Sequence, residues 1–414
     1  MKQYAIVVDP LGIGQEYPGV FAEAGVEVVA VLAMPEPAEP YRASWHPENF
    51  KHIHFFDGDL EGLAKVLRAY EPICLIPGAE TGVELADALV DLVLPGTGNV
   101  AELAPARRNK WLMAQALDRA GVEILRQICS TDPDEVDAWM HDTALAGGPI
   151  VVKPPKSAGT DNVHIVPAGH DWRPFFDQIY GQMNKVGLRN DAVLVQEYAP
   201  GTEYLIDSYS VDGVHGCVDI CRYTKKQRGD RIGLYDQIHF LPPDHPEVLA
   251  VWPYAERVLD AVGVRNGCGH IEVIMTDDGP RLLEIGARPA GGGHCMITNL
   301  ACGSNHLTRT IDHRVNGEFQ PSYVLNQYVC SVVISAPVAG IWRNAEIFAN
   351  VETELPTFWM KYLSAGTGDV VPATDDYYTM LGWIVLASKD NEAMLADCRR
   401  IKELESQLKI DPVD

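Results

Sequence analysis

Two glutamates, Glu272 and Glu284, flank the turn residues Asp277-Asp278-Gly279 between two runs of alternating polarity. Asp-Asp-Gly between such runs predicts a hairpin centred near Asp278, with the two carboxylates opposite one another within a residue or two of register. Cross-strand neighbours of this kind have Cβ atoms roughly 5 Å apart. Alternation puts Ile271, Val273 and Met275 on one face and Glu272 on the other, with Leu283 and Ile285 likewise opposed to Glu284. Paired acids repel, so a cation is expected between them. An all-oxygen site with open positions suits Mg²⁺ arriving with nucleotide phosphates, or Mn²⁺ in its place. The competing reading is a solvated hairpin with both acids on its wet face.

Other residues fit an anionic ligand. Arg107-Arg-Asn-Lys110 opens a helix that stops at Gly121, and basic residues at a helix start run against the dipole unless an anion lies nearby. Lys110 is therefore a phosphate candidate, against a plain solvated basic turn. Lys153 ends a strand and is followed by Ser157, Gly159 and Thr160 before a second strand closes near Val166. One point charge beside flexible backbone N–H groups is what a nucleotide phosphate requires, although the loop is no Walker A motif. Gln196-Glu197-Tyr198 ends an apolar strand and could read the edge of a purine; Glu203 opens the next strand.

The elements that must carry these residues alternate. Strands at Tyr4 to Asp9, Val26 to Leu32, His52 to Phe56 and Pro72 to Pro77, with helices at Tyr17 to Ala24 and Val83 to Val90, predict a parallel α/β unit of about 95 residues. Gly12 and Gly14 follow the first strand without the third glycine of a dinucleotide fingerprint, so a tight βα turn is the better reading than NAD binding. Thr131-Asp-Pro-Asp-Glu caps a further helix to about Leu145. At 414 residues, 47% hydrophobic and 22% charged, the chain is ordinary for a globular protein of roughly two to four domains. Its net charge of −24 argues against a general nucleic-acid or anionic-membrane surface, so a polyphosphate needs a local cluster of cations. Nine scattered cysteines without C-x-x-C pairs indicate reduced thiols rather than disulfides or a zinc ribbon. No apolar run approaches 18 residues, and the start MKQYAIVVDP enters a strand directly; a soluble, unprocessed cytoplasmic protein is expected.

The ordered series Lys110, Lys153 with its Ser-Gly loop, Gln196-Glu197-Tyr198, Glu203, Glu272, Glu284 and Arg288 resembles the ATP-grasp superfamily. Pro77-Gly-Ala-Glu80, Leu94-Pro-Gly and Arg107-Arg-Asn-Lys110 look like the opening region of its carboxylate-amine ligase branch. Within that branch Glu284-Ile-Gly-Ala-Arg288-Pro-Ala-Gly291-Gly292 is most similar to the bacterial L-amino-acid (dipeptide) ligases. The resemblance implies an ATP-grasp fold, mixed α/β and α+β, behind a Rossmann-like N-terminal domain. Its expected divisions are 1–95 for that domain, 96–146 for linking helices, 147–200 for the small ATP-grasp subdomain, 201–324 for the large one, and 325–414 for a closing subdomain.

It also implies roles. Lys110 and Lys153 would hold the α- and β-phosphates, with Ser157, Gly159 and Thr160 closing over them. Gln196, Glu197 and Tyr198 would form the adenine hinge, and Glu203 would lie near the ribose. Glu272 and Glu284 would bind Mg²⁺; Arg288 would neutralise the substrate carboxylate, beside Gly291 and Gly292, with Glu80 also at the substrates. His239, in Tyr235-Asp-Gln-Ile-His, would face the substrates, against the plain reading of a satisfied structural histidine. Many relatives carry Glu-x-Asn, the Asn completing a second metal site; here Glu284 is followed by Ile285 and Gly286, which leaves the number of metals open. The implied activity is ATP-dependent joining of two amino acids through an acyl phosphate, on small-molecule substrates, by a homodimer. The alternatives are a carboxylase or purine-pathway ligase of the same superfamily and a nucleotide-binding protein without turnover.

Overall fold

A computed structural model describes residues 2–228, 231–375 and 379–413. The N-terminal unit is a four-stranded parallel sheet in the spatial order His52–Phe55, Val26–Leu32, Gln3–Val8, Cys74–Pro77. Helices cover both faces, which is why its central strands read as unbroken apolar runs rather than alternating ones. Ile6, Val8, Val29 and Val31 pack on one side against Leu63, Leu67 and Leu89; Ala5, Val7, Val28 and Ala30 pack on the other against Tyr17 and Phe21. A Cβ on Gly14 would fall 2.6 Å from the Gly78 backbone, so this glycine serves the close approach of two turns.

The segment 96–146, expected as helices, also contributes a strand. The helix Lys110–Arg119 begins at Asn109, whose side chain accepts from the N–H groups of Trp111 and Leu112. Gln127–Ser130 then pairs antiparallel with Val193–Glu197, and Ile150–Lys153 and His164–Val166 complete a four-stranded sheet. Asp132 caps the helix Pro133–Asp142 through the Asp134 N–H.

An eight-stranded antiparallel sheet forms the largest layer. Its spatial order is Gly279–Gly286, Gly267–Thr276, Thr202–Val211, Val214–Arg228, Arg231–Phe240, Tyr328–Ile334, Gly382–Ser388 and Phe358–Leu363. The helix Pro246–Ala261 packs its Val251, Tyr254, Val258 and Leu259 into this sheet's core with Ile271, Val273 and Ile285. The last three strands belong to the region read as a closing subdomain, so that region extends the sheet while keeping a core of its own around Trp342, Phe348 and Ile401.

The predicted hairpin is present, with Gly279 at φ 98° ending its turn. Glu272 pairs directly with Glu284, but a bulge follows: Val273 pairs with Leu282, leaving Leu283 as the extra residue. Strict alternation had Leu283 facing inward with Ile285. Leu282 occupies that place instead, 7% exposed in the core.

Candidate active site

The two carboxylates lie where three sheets and one helix start converge. Lys110, in the first turn of its helix, reaches Glu284 Oε2 at 2.7 Å and donates to the Ser157 carbonyl at 3.1 Å. The anion that favours a basic helix start is thus partly internal, and Arg107 and Arg108 likewise meet Asp87 and Glu80. Lys153 is 6% exposed and donates to Gln196 Oε1 at 3.0 Å, while Gln196 Nε2 donates to Gln127 Oε1 at 2.9 Å. The Gln196 side chain is therefore engaged with Lys153 and Gln127 rather than free to read a purine edge. Burial, reinforced by Lys110, brings the Lys153 ammonium down to about 8, against the opposing pull of Glu284, Glu272 and Glu203.

The acids are held apart in protonation. Burial, then the neighbouring Glu284 and Glu203, push Glu272 up to about 8. Burial acts on Glu284 in the same direction, but Lys110, Lys153 and Arg288 outweigh it and hold that carboxyl down at about 2. Burial and the charge of Glu284 thus favour the protonated form of Glu272, a condition that a divalent cation between the two acids would relieve. The donor set, carboxylate oxygens only, fits a hard ion of the Mg²⁺ or Mn²⁺ type.

Glu203 is 5% exposed, ion-paired with Lys225 and approached by the Tyr235 hydroxyl at 3.4 Å. Lys225 also stands 4.7 Å from the Tyr235 ring centroid. The loop after Lys153 is held by Ser157 Oγ, which donates to Asp161 Oδ2 at 2.8 Å, and it turns through positive φ at Gly159 and Thr160. At the hinge the Glu197 side chain points to Arg126, accepting from its Nε at 2.6 Å and its N–H at 2.8 Å. The Glu197 N–H donates to the Arg126 carbonyl at 2.9 Å and the Tyr198 N–H to Pro149 at 3.3 Å, so both hinge N–H groups already have partners.

Two residues past the end of Glu284's strand lies Arg288, whose Nε donates to Glu80 Oε2 at 2.7 Å; Arg108 Nη1 lies 3.1 Å from Glu80 Oε1. Two guanidiniums on one carboxylate leave a positive excess, and Arg108 Nη2 is buried with no hydrogen-bond partner among the described residues. The cluster is built for an anion. Where an Asn would complete Glu-x-Asn, a Cβ at Gly286 would meet Glu80 Oε2 at 3.0 Å and Arg288 Nε at 3.3 Å, so a side chain there would press on this ion pair. Gly291 has open space around its Cα, and the helix His294–Cys302 starts directly after this loop.

His239 stands apart from this cluster. It pairs across the sheet with Arg222, which binds Glu247 of the helix Pro246–Ala261, whereas the next residue, Tyr223, pairs with Glu203 and lies on the opposite, carboxylate face. His239 Nε2 meets Gln237 Oε1 at 2.9 Å, and burial, reinforced by Arg222, lowers its basicity to about 4. The structural reading fits its surroundings. Sequence reasoning missed Lys225, Tyr235 and Arg108. Arg108 carried a signal, as a second arginine at a helix start, but Lys225 and Tyr235 reach Glu203 only through a bulged pairing between Thr224 and Lys225.

Residues 146–299 match the family model described as an ATP-grasp domain. The chain is 30% identical over 362 residues to dapdiamide A synthase of Enterobacter agglomerans, covering 83% of this chain and 81% of that one. It is 23% identical over 193 residues to the L-arginine-specific L-amino acid ligase of Bacillus subtilis, 46% of each chain. Its fold superposes on the crystal structure of an L-amino acid ligase from Bacillus licheniformis with a TM-score of 0.68 at 17% identity, covering 100% of this chain and 99% of that one. The chain belongs to the ATP-grasp family. Within it, this is a ligase of the carboxylate-amine branch, an enzyme that forms C–N bonds and is similar to dapdiamide A synthase and to L-amino acid ligases.

Proposed function

We propose that the enzyme joins the carboxylate of one amino acid to the amine of a second, converting ATP to ADP and phosphate through an acyl phosphate. The observation that carries this reading is the adjacency of two sites: Glu284 near the end of its strand, salt-bridged to Lys110, and Arg288, two residues past the end of that strand and anchored by Glu80. A carboxylate held at Arg288 would then lie beside the γ-phosphoryl group. Lys110, Lys153 and Lys225 provide the positive charge for the nucleotide, Glu203 lies against it, and the loop 157–161 excludes water that would hydrolyse the acyl phosphate. Mg²⁺ or Mn²⁺ held by Glu272 and Glu284 would supply neutralisation of charge on the transferring oxygens.

Arg288 presents a planar fork to the substrate carboxylate, and Gly291 and Gly292 keep its approach free of side chains. Glu80, both of whose oxygens face arginines, positions Arg288 and Arg108. The relatives' names support amino acids as the substrate class. We assign the Rossmann-like domain to 1–95, linking elements to 96–146, the small and large ATP-grasp subdomains to 147–200 and 201–324, and the closing part to 325–414. A homodimer acting on small molecules in a reducing cytoplasm completes the proposal, in keeping with nine cysteines that are all free thiols. The test is incubation with ATP, Mg²⁺ and mixed amino acids, followed by phosphate release and mass spectrometry. Amino-acid-dependent phosphate and a dipeptide mass support the reading; ATP hydrolysis indifferent to amino acids overturns it.

A further inference from the structure

Beneath the Arg288 loop lies a buried polar network that the proposed reaction does not use. Asp207, 1% exposed on the strand that also carries Glu203, faces three imidazoles from three elements. His270 Nδ1 lies 2.7 Å from its Oδ1; His306 Nδ1 lies 3.5 Å and His294 Nε2 3.7 Å from its Oδ2. His270 belongs to the strand of Glu272, and His294 opens the helix after the glycines.

The sharpest contacts fall on Ala290, two residues past Arg288 and fully buried. Its N–H donates to His306 Nδ1 at 3.0 Å, and its carbonyl accepts from the Cys295 thiol at 3.5 Å. The other ring nitrogen of His306, Nε2, donates to the Ser208 carbonyl at 2.9 Å. One acceptor and one donor on the same ring fix a neutral imidazole with its proton on Nε2. Burial lowers the basicity of His306, which agrees with that state.

We propose that His306 is a positioning residue for the ligation: through its Nδ1 acceptor it fixes the loop from Arg288 to Gly293 from below and, through its Nε2 donor to Ser208, ties that loop to the strand bearing Glu203. This rests on the reading of that loop as the carboxylate subsite. A buried N–H left without its acceptor carries a desolvation cost, so a loop without the imidazole lone pair would relax and turn Arg288 with it.

The test compares His306→Asn, whose amide oxygen takes the place of Nδ1, with His306→Gln, whose amide nitrogen takes the place of Nε2. The Gln variant should raise KM for the amino-acid substrates roughly five- to tenfold while the Asn variant stays within about twofold of the parent, as expected for one buried hydrogen bond. KM for ATP should stay unchanged in both. Equal effects of the two variants, or an effect carried by KM for ATP, would overturn the proposal. Should either variant fail to fold, ¹⁵N-histidine NMR of the unaltered protein decides: a neutral ring protonated on Nε2 is expected at pH 7, and a proton on Nδ1 overturns the assignment. An unaltered protein that turns over no amino acid refutes the function proposed above, and the tautomer remains a separate test of His306.

Discussion

Gly286 stands where a Glu-x-Asn pattern would put its Asn, and its surroundings are tight. The Glu80–Arg288 ion pair passes within 3.0 to 3.3 Å of where its Cβ would be. Gly286→Asn should therefore not recruit a further metal; it should displace Arg288, keep nucleotide binding, and cut amino-acid-dependent phosphate release on the order of 100-fold. Calorimetric ATP binding together with a phosphate assay distinguishes this from simple misfolding. The two loop lysines make a second contrast. Lys153 is buried among the site charges, whereas Lys156 forms a half-exposed ion pair with Glu84 at 2.6 Å. Lys153→Ala should weaken ATP binding by at least about tenfold, while Lys156→Ala should shift it by less than about threefold, since exposed ion pairs contribute little. Equal losses would place the phosphate contact on the wrong lysine.

At the scale of elements, the hairpin register was legible and its bulge was not. Asp277-Asp278-Gly279 and the two alternating runs bring Glu272 opposite Glu284, because turn chemistry and side-chain period are local properties. The extra residue at Leu283 depends on how the hairpin packs against the helix Pro246–Ala261, which no local pattern encodes. Leu282→Ala should accordingly cost about 2 to 4 kcal/mol in chemical denaturation, and Leu283→Ala about 1 kcal/mol or less; the reverse order would restore strict alternation. The same limit explains His239, whose place on the far face follows from its pairing with Arg222 and not from its neighbours in sequence. The helix His294–Cys302 carries a pH prediction. Burial lowers the basicity of His294, but Asp219 at 3.2 Å and then Asp207 more than reverse this, raising it to about 8. Its ion pair thus adds stability in full below about pH 6.5, the ordinary histidine value, and loses that contribution as pH rises through about 8. Relative to His294→Gln, the Tm of the unaltered protein should fall between pH 6.5 and 8; parallel curves would mean that the ring is neutral.

Across the whole molecule the charge is strongly negative, −24 in total, yet Lys110, Lys153, Lys225, Arg108 and Arg288 gather at the meeting point of three sheets. Such a local field would draw a polyphosphate and a carboxylate to one place on an otherwise repelling surface. Lys110, Lys153, Gln196-Glu197 and Glu203 were legible because they sit at the start of a helix or the ends of strands, where residue type and element boundary coincide. The joining of the C-terminal strands to the large sheet, and the approach of Lys225 and Tyr235 to Glu203, were not, because they arise from pairings between distant segments. The central claim is that a carboxylate attacks the γ-phosphoryl group to give an acyl phosphate, whose phosphate is then displaced from the acyl carbon by an amine, and isotope transfer tests it most directly. With an amino acid labelled with ¹⁸O in its carboxylate, one labelled oxygen should appear in the inorganic phosphate released with ADP as the amide forms. Label in AMP, with pyrophosphate as co-product, would show activation by adenylation and contradict the account.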